Sequence, residues 1–136
     1  MALPGTTTVG LLVMLLLGDH IMLGVCGQDA ECSCSTESYD ADGAYGRHVF
    51  YVKYDLWVTT PKHQNENYDY YNSSPADSEQ QAYGHAKCST DLGPDDCRGC
   101  IGAALGVMND RCGLSVGASV VLDRCQLRYE ASPIRG

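Results

Sequence analysis

Basic side chains are scarce in this sequence: nine Lys and Arg stand against seventeen Asp and Glu, a formal charge of −8. Nucleic-acid phosphates and anionic lipid surfaces are held by an excess of Lys and Arg, so a chain of this sign is repelled before specific contacts form. That excludes a nucleic-acid partner and killing by cationic membrane disruption. Beyond residue 27 no apolar run approaches the roughly 18 residues a spanning helix needs, and the closing ASPIRG is too short and polar for a lipid-anchor signal. No membrane insertion is expected. Internal repeats and low-complexity tracts are absent, and 136 residues leave room for one domain. A Gly-x-Ser-x-Gly turn is missing as well, and His48, His63 and His85 are scattered, so no nucleophile and base pair is signalled. Neither catalysis nor a cofactor is expected.

Eight cysteines are present in this short chain, and they speak for covalent staples and an oxidising compartment. The first 27 residues fit an export signal. Val9 to Gly18 is a ten-residue apolar run, the right length for a signal core and too short to span a bilayer. Asp19 and His20 interrupt it, a second patch runs from Ile21 to Val25, and Val25-Cys26-Gly27 puts short residues at −3 and −1 of a cut before Gln28. The expectation is a signal over residues 1–27 and a single secreted domain over residues 28–136; the competing reading is a buried N-terminal helix.

Tyr45, Val49, Val52 and Leu56 recur at helical spacing, with Phe50 and Trp57 broadening the stripe, and Pro61 closes that element. Polar stretches 62–67 and 72–81 flank Tyr68-Asp69-Tyr70-Tyr71, whose composition suits a strand, and residues 82–88 (AYGHAKC) suit another. After Gly93-Pro94, Asp95 or Asp96 can cap a second helix running to about Cys112, with Cys97, Cys100, Ile101, Ala104, Leu105 and Met108 on one face. Residues 118–122 and 125–129 read as two further strands. The fold class predicted is α+β: an antiparallel β-sheet with two α-helices packed on one face.

Removing residues 1–27 leaves seven cysteines, so one is left over. Cys97 and Cys100 lie three apart on the predicted helix, and both sulfurs then project toward the sheet, each free to bond a different strand. A redox reading of this Cys-x-x-Cys is weakened by Asp91, Asp95 and Asp96, which oppose a thiolate. Zinc would need reduced thiolates, and no histidine stands at a ligand spacing from the cysteines.

The spacing Cys88-x8-Cys97-x2-Cys100 resembles that of the plant ginkbilobin-homologous domain, the cysteine-rich secretory or stress-antifungal module. The likeness extends to Ala82-Tyr83-Gly84 before Cys88, to Cys97-Arg98-Gly99-Cys100, to the eleven residues before Cys112 and the twelve before Cys125, and to the closing Gln126-Leu127-Arg128-Tyr129-Glu130. The resemblance implies three disulfides, Cys34 with Cys112, Cys88 with Cys97 and Cys100 with Cys125. Cys34 is preferred to Cys32 for its distance to the Tyr45 helix start. Cys32 is then the odd thiol, unpaired, exchanging with Cys34, or linking two chains.

Single-domain members of that family are secreted antifungal proteins that bind mannose, and the same module builds the ectodomains of cysteine-rich receptor kinases. The family's sugar contacts, an Asn, an Arg and a Glu, map by spacing to Ser35, Ser119 and Glu130. Glu130 keeps an acceptor for sugar hydroxyls, whereas a serine in place of arginine gives up a fixed charge and five donors. Arg128 replaces that cation if residues 128 and 130 share a face, as they do on a regular strand. Tyr68, Tyr70 and Tyr71 are either an aromatic platform or core-edge rings. Asn72-Ser73-Ser74, before Pro75, is a glycosylation acceptor pattern in a predicted loop.

The function expected is therefore a plant defence or stress recognition module in the apoplast, taking a mannose-type glycan or fungal cell-wall polysaccharide. The alternative is a protein-interaction module that pairs with itself or with receptor ectodomains, without sugar.

Overall fold

The computed structural model describes residues 23–27, 30–76 and 80–135. Along these run β1 (Leu23–Gly27), β2 (Ala30–Cys34), α1 (Ala44–Thr59), two short 3-10 turns (Thr60–Lys62 and Gln64–Glu66), β3 (Asp69–Ser73), β4 (Tyr83–Cys88), α2 (Pro94–Cys112), β5 (Ala118–Val121) and β6 (Cys125–Glu130). The strands form one six-stranded antiparallel sheet in the order β1-β2-β5-β6-β4-β3. Both helices pack on the same side of it, as the α+β reading expects.

The helix stripe explains why α1 lies where it does: Val49, Val52 and Leu56 are fully buried against the sheet. They meet Ile101, Ala104 and Met108 of α2 and, below them, Ala86, Val120, Leu127 and Tyr129 of the sheet. Each aliphatic side chain buried this way contributes about 1.5–3 kcal/mol. Phe50 and Trp57 do not widen the buried stripe. Phe50 is 71% exposed and Trp57 36%, because they fall outside the arc that touches the sheet. The α-helix stops at Thr59, and Pro61 sits in the 3-10 turn beyond it. In α2 the N-cap is Gly93 with Pro94 at the first helical position, and Asp95 and Asp96 lie in the first turn instead of capping it. There their charges still favour the positive end of the helix dipole. Gly113, at φ 54°, turns the chain out of α2.

Two strands escaped the sequence reading. β2 alternates burial in its first positions, with Ala30 and Cys32 inside and Glu31 out, but its Ala-Glu-Cys-Ser composition carries little strand propensity. β1 lies in the segment assigned to the export signal. β3 begins at Asp69, since Asn67 and Tyr68 both take left-handed backbone angles (φ 61° and 53°) and swing the chain into the sheet. A bulky residue in that conformation costs about 1–2 kcal/mol, offset here by complete burial of the Tyr68 ring and a hydrogen bond from its hydroxyl to the Leu92 carbonyl at 2.8 Å.

Four disulfides close the molecule. Cys34–Cys112, Cys88–Cys97 and Cys100–Cys125 are the three pairs the resemblance implies. Cys88 and Cys125 are direct cross-strand partners, so the two cysteines at the start of α2 clamp onto one facing pair of β4 and β6. Cys112, at the other end of α2, is tied to β2. The fourth disulfide corrects the expectation that Cys32 is the odd thiol: in the chain as described, Cys32 pairs with Cys26, a residue which that expectation removed with the leader.

Candidate functional site

Both helices lie on one side, and no described element covers the other side of the sheet. Strand alternation decides which side chains stand there. The register lines up Ser33, Ser119, Arg128, His85 and Tyr71 in one row across β2, β5, β6, β4 and β3, with Glu130, Tyr83 and Ser73 in the next row. Arg128 is therefore directly opposite Ser119 and shares its face with Glu130.

The arginine Nε donates to Glu130 Oε1 at 3.2 Å. Both side chains remain partly exposed (48% and 33%), so a ligand can reach the donors and acceptors the pair leaves over. Gly117 lies beneath this carboxylate: a Cβ there would collide with Glu130, so the absence of a side chain makes the room Glu130 occupies. Close by, the Tyr45 hydroxyl donates to the Val116 carbonyl at 2.6 Å. Burial first, and then the Glu130 charge, push the Tyr45 pKa well above the usual tyrosine range.

Ser35, to which a sugar contact was mapped, is hydrogen-bonded within the fold. Its hydroxyl accepts from the Gly117 N–H at 2.9 Å and donates to the Glu37 carbonyl at 3.3 Å. Its amide also donates to the Gly117 carbonyl at 2.9 Å. The side chain is spent tying the end of β2 to the start of β5, which leaves it little capacity for a sugar.

The tyrosine run is split by strand alternation and does not form one platform. Tyr68 is core, and Tyr70 faces α1, where its hydroxyl donates to Asp55 Oδ2 at 2.7 Å. Only Tyr71 stands on the open face, stacked on His85 with ring centroids 4.0 Å apart. His85 in turn contacts Asp69 through Nε2. Sequence reasoning passed over His85 as a scattered histidine and gave Tyr83 no site role; the alternation of AYGHAKC contained the signal, but only β-pairing shows which neighbours they meet. Beside Tyr83, a shallow cleft of about 250 Å³ opens among Tyr71, Ser73, Tyr83, Pro133 and Ile134.

Asn72 does not lie in a loop. It is in β3 on the helix-facing side, and its Nδ2 donates to the Val52 carbonyl at 3.1 Å and to Asp55 Oδ2 at 2.9 Å. Ser74 is buried and its hydroxyl accepts from the Ala82 N–H at 2.9 Å. The acceptor pattern is thus folded into the contact between sheet and helix.

A small α+β module clamped by disulfides, with one polar sheet face left open by the described residues, defines the class. The sequence model of the salt stress response/antifungal family matches residues 31–132, and the chain belongs to that family. Among curated proteins it is similar to plasmodesmata-located protein 8 of Arabidopsis thaliana, 41% identical over 49 residues, which is 36% of this chain and 18% of that one. It is also similar to an antimicrobial ginkbilobin-2-like protein of Castanea crenata, 37% identical over 57 residues, 42% of this chain and 24% of the other. The matches thus span a quarter or less of those relatives. Among solved structures, the tandem DUF26 ectodomain of the cysteine-rich receptor-like protein PDLP5 of Arabidopsis thaliana superposes with a TM-score of 0.67 at 19% identity, over 74% of this chain and 48% of that one. The tandem DUF26 ectodomain of PDLP8 gives 0.58 at 30% identity, over 74% and 44%. The chain is a plant antifungal-type domain related to cysteine-rich receptor ectodomains. Among the described residues no helix is long and apolar enough to cross a membrane.

Proposed function

We propose that this protein is exported and acts outside the plant cell in defence or stress, by binding alone, with the open sheet face around Arg128 and Glu130 as a glycan site for mannose-type or fungal cell-wall polysaccharide. The observation that carries this reading is the Arg128–Glu130 pair opposite Ser119. The cation that the family places on β5 is supplied here from the neighbouring strand β6. The guanidinium offers forked donors to ring and hydroxyl oxygens, and the carboxylate accepts from vicinal hydroxyls. Similarity to the Castanea crenata antimicrobial protein supports the same reading.

Glycan-array and fungal mannan binding test it. The wild type is expected to bind, and Glu130→Ala and Arg128→Ala each to weaken binding at least tenfold without changing the melting temperature, since both side chains are partly exposed. An array on which the wild type shows no signal rejects the glycan reading.

A second reading, a protein-interaction module, has its own support. Phe50, Tyr51, Tyr54 and Trp57 leave a row of exposed rings along α1, and Phe50 and Leu114 flank a groove of about 580 Å³ that also contains Tyr39, Lys53 and Asn109. Exposed aromatic patches of this kind mark contact surfaces, and the solved relatives are receptor-like ectodomains. A blank array together with self-association or ectodomain binding weakened by Phe50→Ser favours this second reading.

A further inference from the structure

The expected cut before Gln28 and the structure disagree about what β1 is. The family-model match begins at residue 31, so β1 lies outside the matched residues. It is nevertheless built into the sheet. Leu23, Gly24 and Val25 pair in register with Ser33, Cys32 and Glu31, and the strand also contacts α2. Cys26 packs against the core cluster and is bonded to Cys32 with Cα atoms 5.4 Å apart, within the range a disulfide spans. Cys32 is only 6% exposed. A cut before Gln28 would remove both that partner and the strand paired to β2, and leave Cys32 as the odd thiol of seven on a newly opened sheet edge.

We propose that the leader is removed on the N-terminal side of Val25, so that the mature protein keeps Cys26, four disulfides and no thiol. Gly18, at the end of the apolar run, and Gly24 each supply the small residue a signal peptidase needs at the last leader position. Hydrolysis adds one water across that peptide bond, giving a new carboxylate on the leader and a new amine on the mature chain. The Cys26 and Cys32 thiols then pass two protons and two electrons to a disulfide donor of the secretory pathway. This rests on the export reading given above. Its consequence is that Cys32 is not available to link two chains, so any dimer of the mature protein is non-covalent.

The test expresses the full chain in a plant secretory host and measures the N-terminus, intact mass and thiol content of the secreted protein. The expected result is an N-terminus at or before Val25, no thiol after denaturation, a linked Cys26–Cys32 peptide pair, and a mass that rises on reduction by two hydrogens for each of four disulfides. Cys26→Ser should expose one thiol that reacts only after unfolding. An N-terminus at Gln28 with one thiol, or a Cys26→Ser protein without one, overturns the inference while leaving export intact. A chain retained in the cell with its first residues uncut removes the export reading and this inference with it.

Discussion

Asp55 shows how a half-buried carboxylate is made to stay charged. Burial works against ionisation, but hydrogen bonds from Tyr70, Asn72 and Thr59 outweigh it and hold the carboxyl below the usual range. The same contact pushes Tyr70 up to about 12, by burial first and then through Asp55. The signs are opposite. A depressed carboxyl pKa gives stability that is present above an unfolded value of about 3.9 and lost as pH falls through the folded one. A raised tyrosine pKa gives stability that is present below about 10 and lost as pH climbs toward the folded value. Denaturation followed across pH should show a plateau between these limbs. Asp55→Asn should flatten the acid limb; Tyr70→Phe should only soften the alkaline one, because Tyr45 and Tyr129 are raised by burial too.

Asn72 belongs to that network, and its fate was hidden in the sequence. Three letters suffice to write a glycosylation pattern, whereas its use requires an exposed amide. With Nδ2 committed to Val52 and Asp55, Asn72 should carry no glycan in the secreted protein, a point settled by intact mass before and after glycosidase treatment. Asn72→Ala should cost about 1–3 kcal/mol in chemical denaturation, for it strips the half-buried Asp55 carboxylate of a donor. Sequence reading placed Glu130 and Arg128 on one face because strand alternation is local, but it could not show that the Ser35 hydroxyl accepts from the Gly117 N–H, 82 positions away.

At the scale of elements, α2 is the part held most firmly. It is fixed to β4 and β6 at its start and to β2 at its end. The loops these bonds close differ in length: 78 residues separate Cys34 and Cys112, against 9 and 25 for the other two pairs. On the chain-entropy model the long closure is worth about 4.5 kcal/mol and the short ones about 3. Replacing Cys34 and Cys112 together by Ser should therefore lower denaturant stability more than replacing Cys88 and Cys97, and equal or reversed losses would show that native-state strain or packing dominates. The helices and β4 to β6 were legible because their apolar spacing matches the period of the element. β1 and β2 were not: β1 falls in the segment read as the leader, β2 is built of alanine, glutamate, cysteine and serine with little strand propensity, and pairing with β5 helps make β2 a strand.

For the molecule as a whole, an acidic chain with one cation-bearing sheet face has two surfaces of different character. The polar face opposite the helices suits a hydroxyl-rich ligand, and the aromatic row on α1 suits a protein. Which surface is used is a question of partner chemistry, and the array and association measurements address each separately.

The sequence by itself determined the acidic balance, the two helices, the late strands and, through its cysteine spacing, the likeness to the family, since all of these depend on periodicity and intervals along the chain; three of the disulfides were implied only by that likeness. The tertiary structure decided the rest. What the Ser35 hydroxyl bonds to, where Asn72 points, that Arg128 stands opposite Ser119, and that Cys32 has a partner all depend on which residues distant in sequence are brought within a few ångströms, and pairing across the sheet sets those distances.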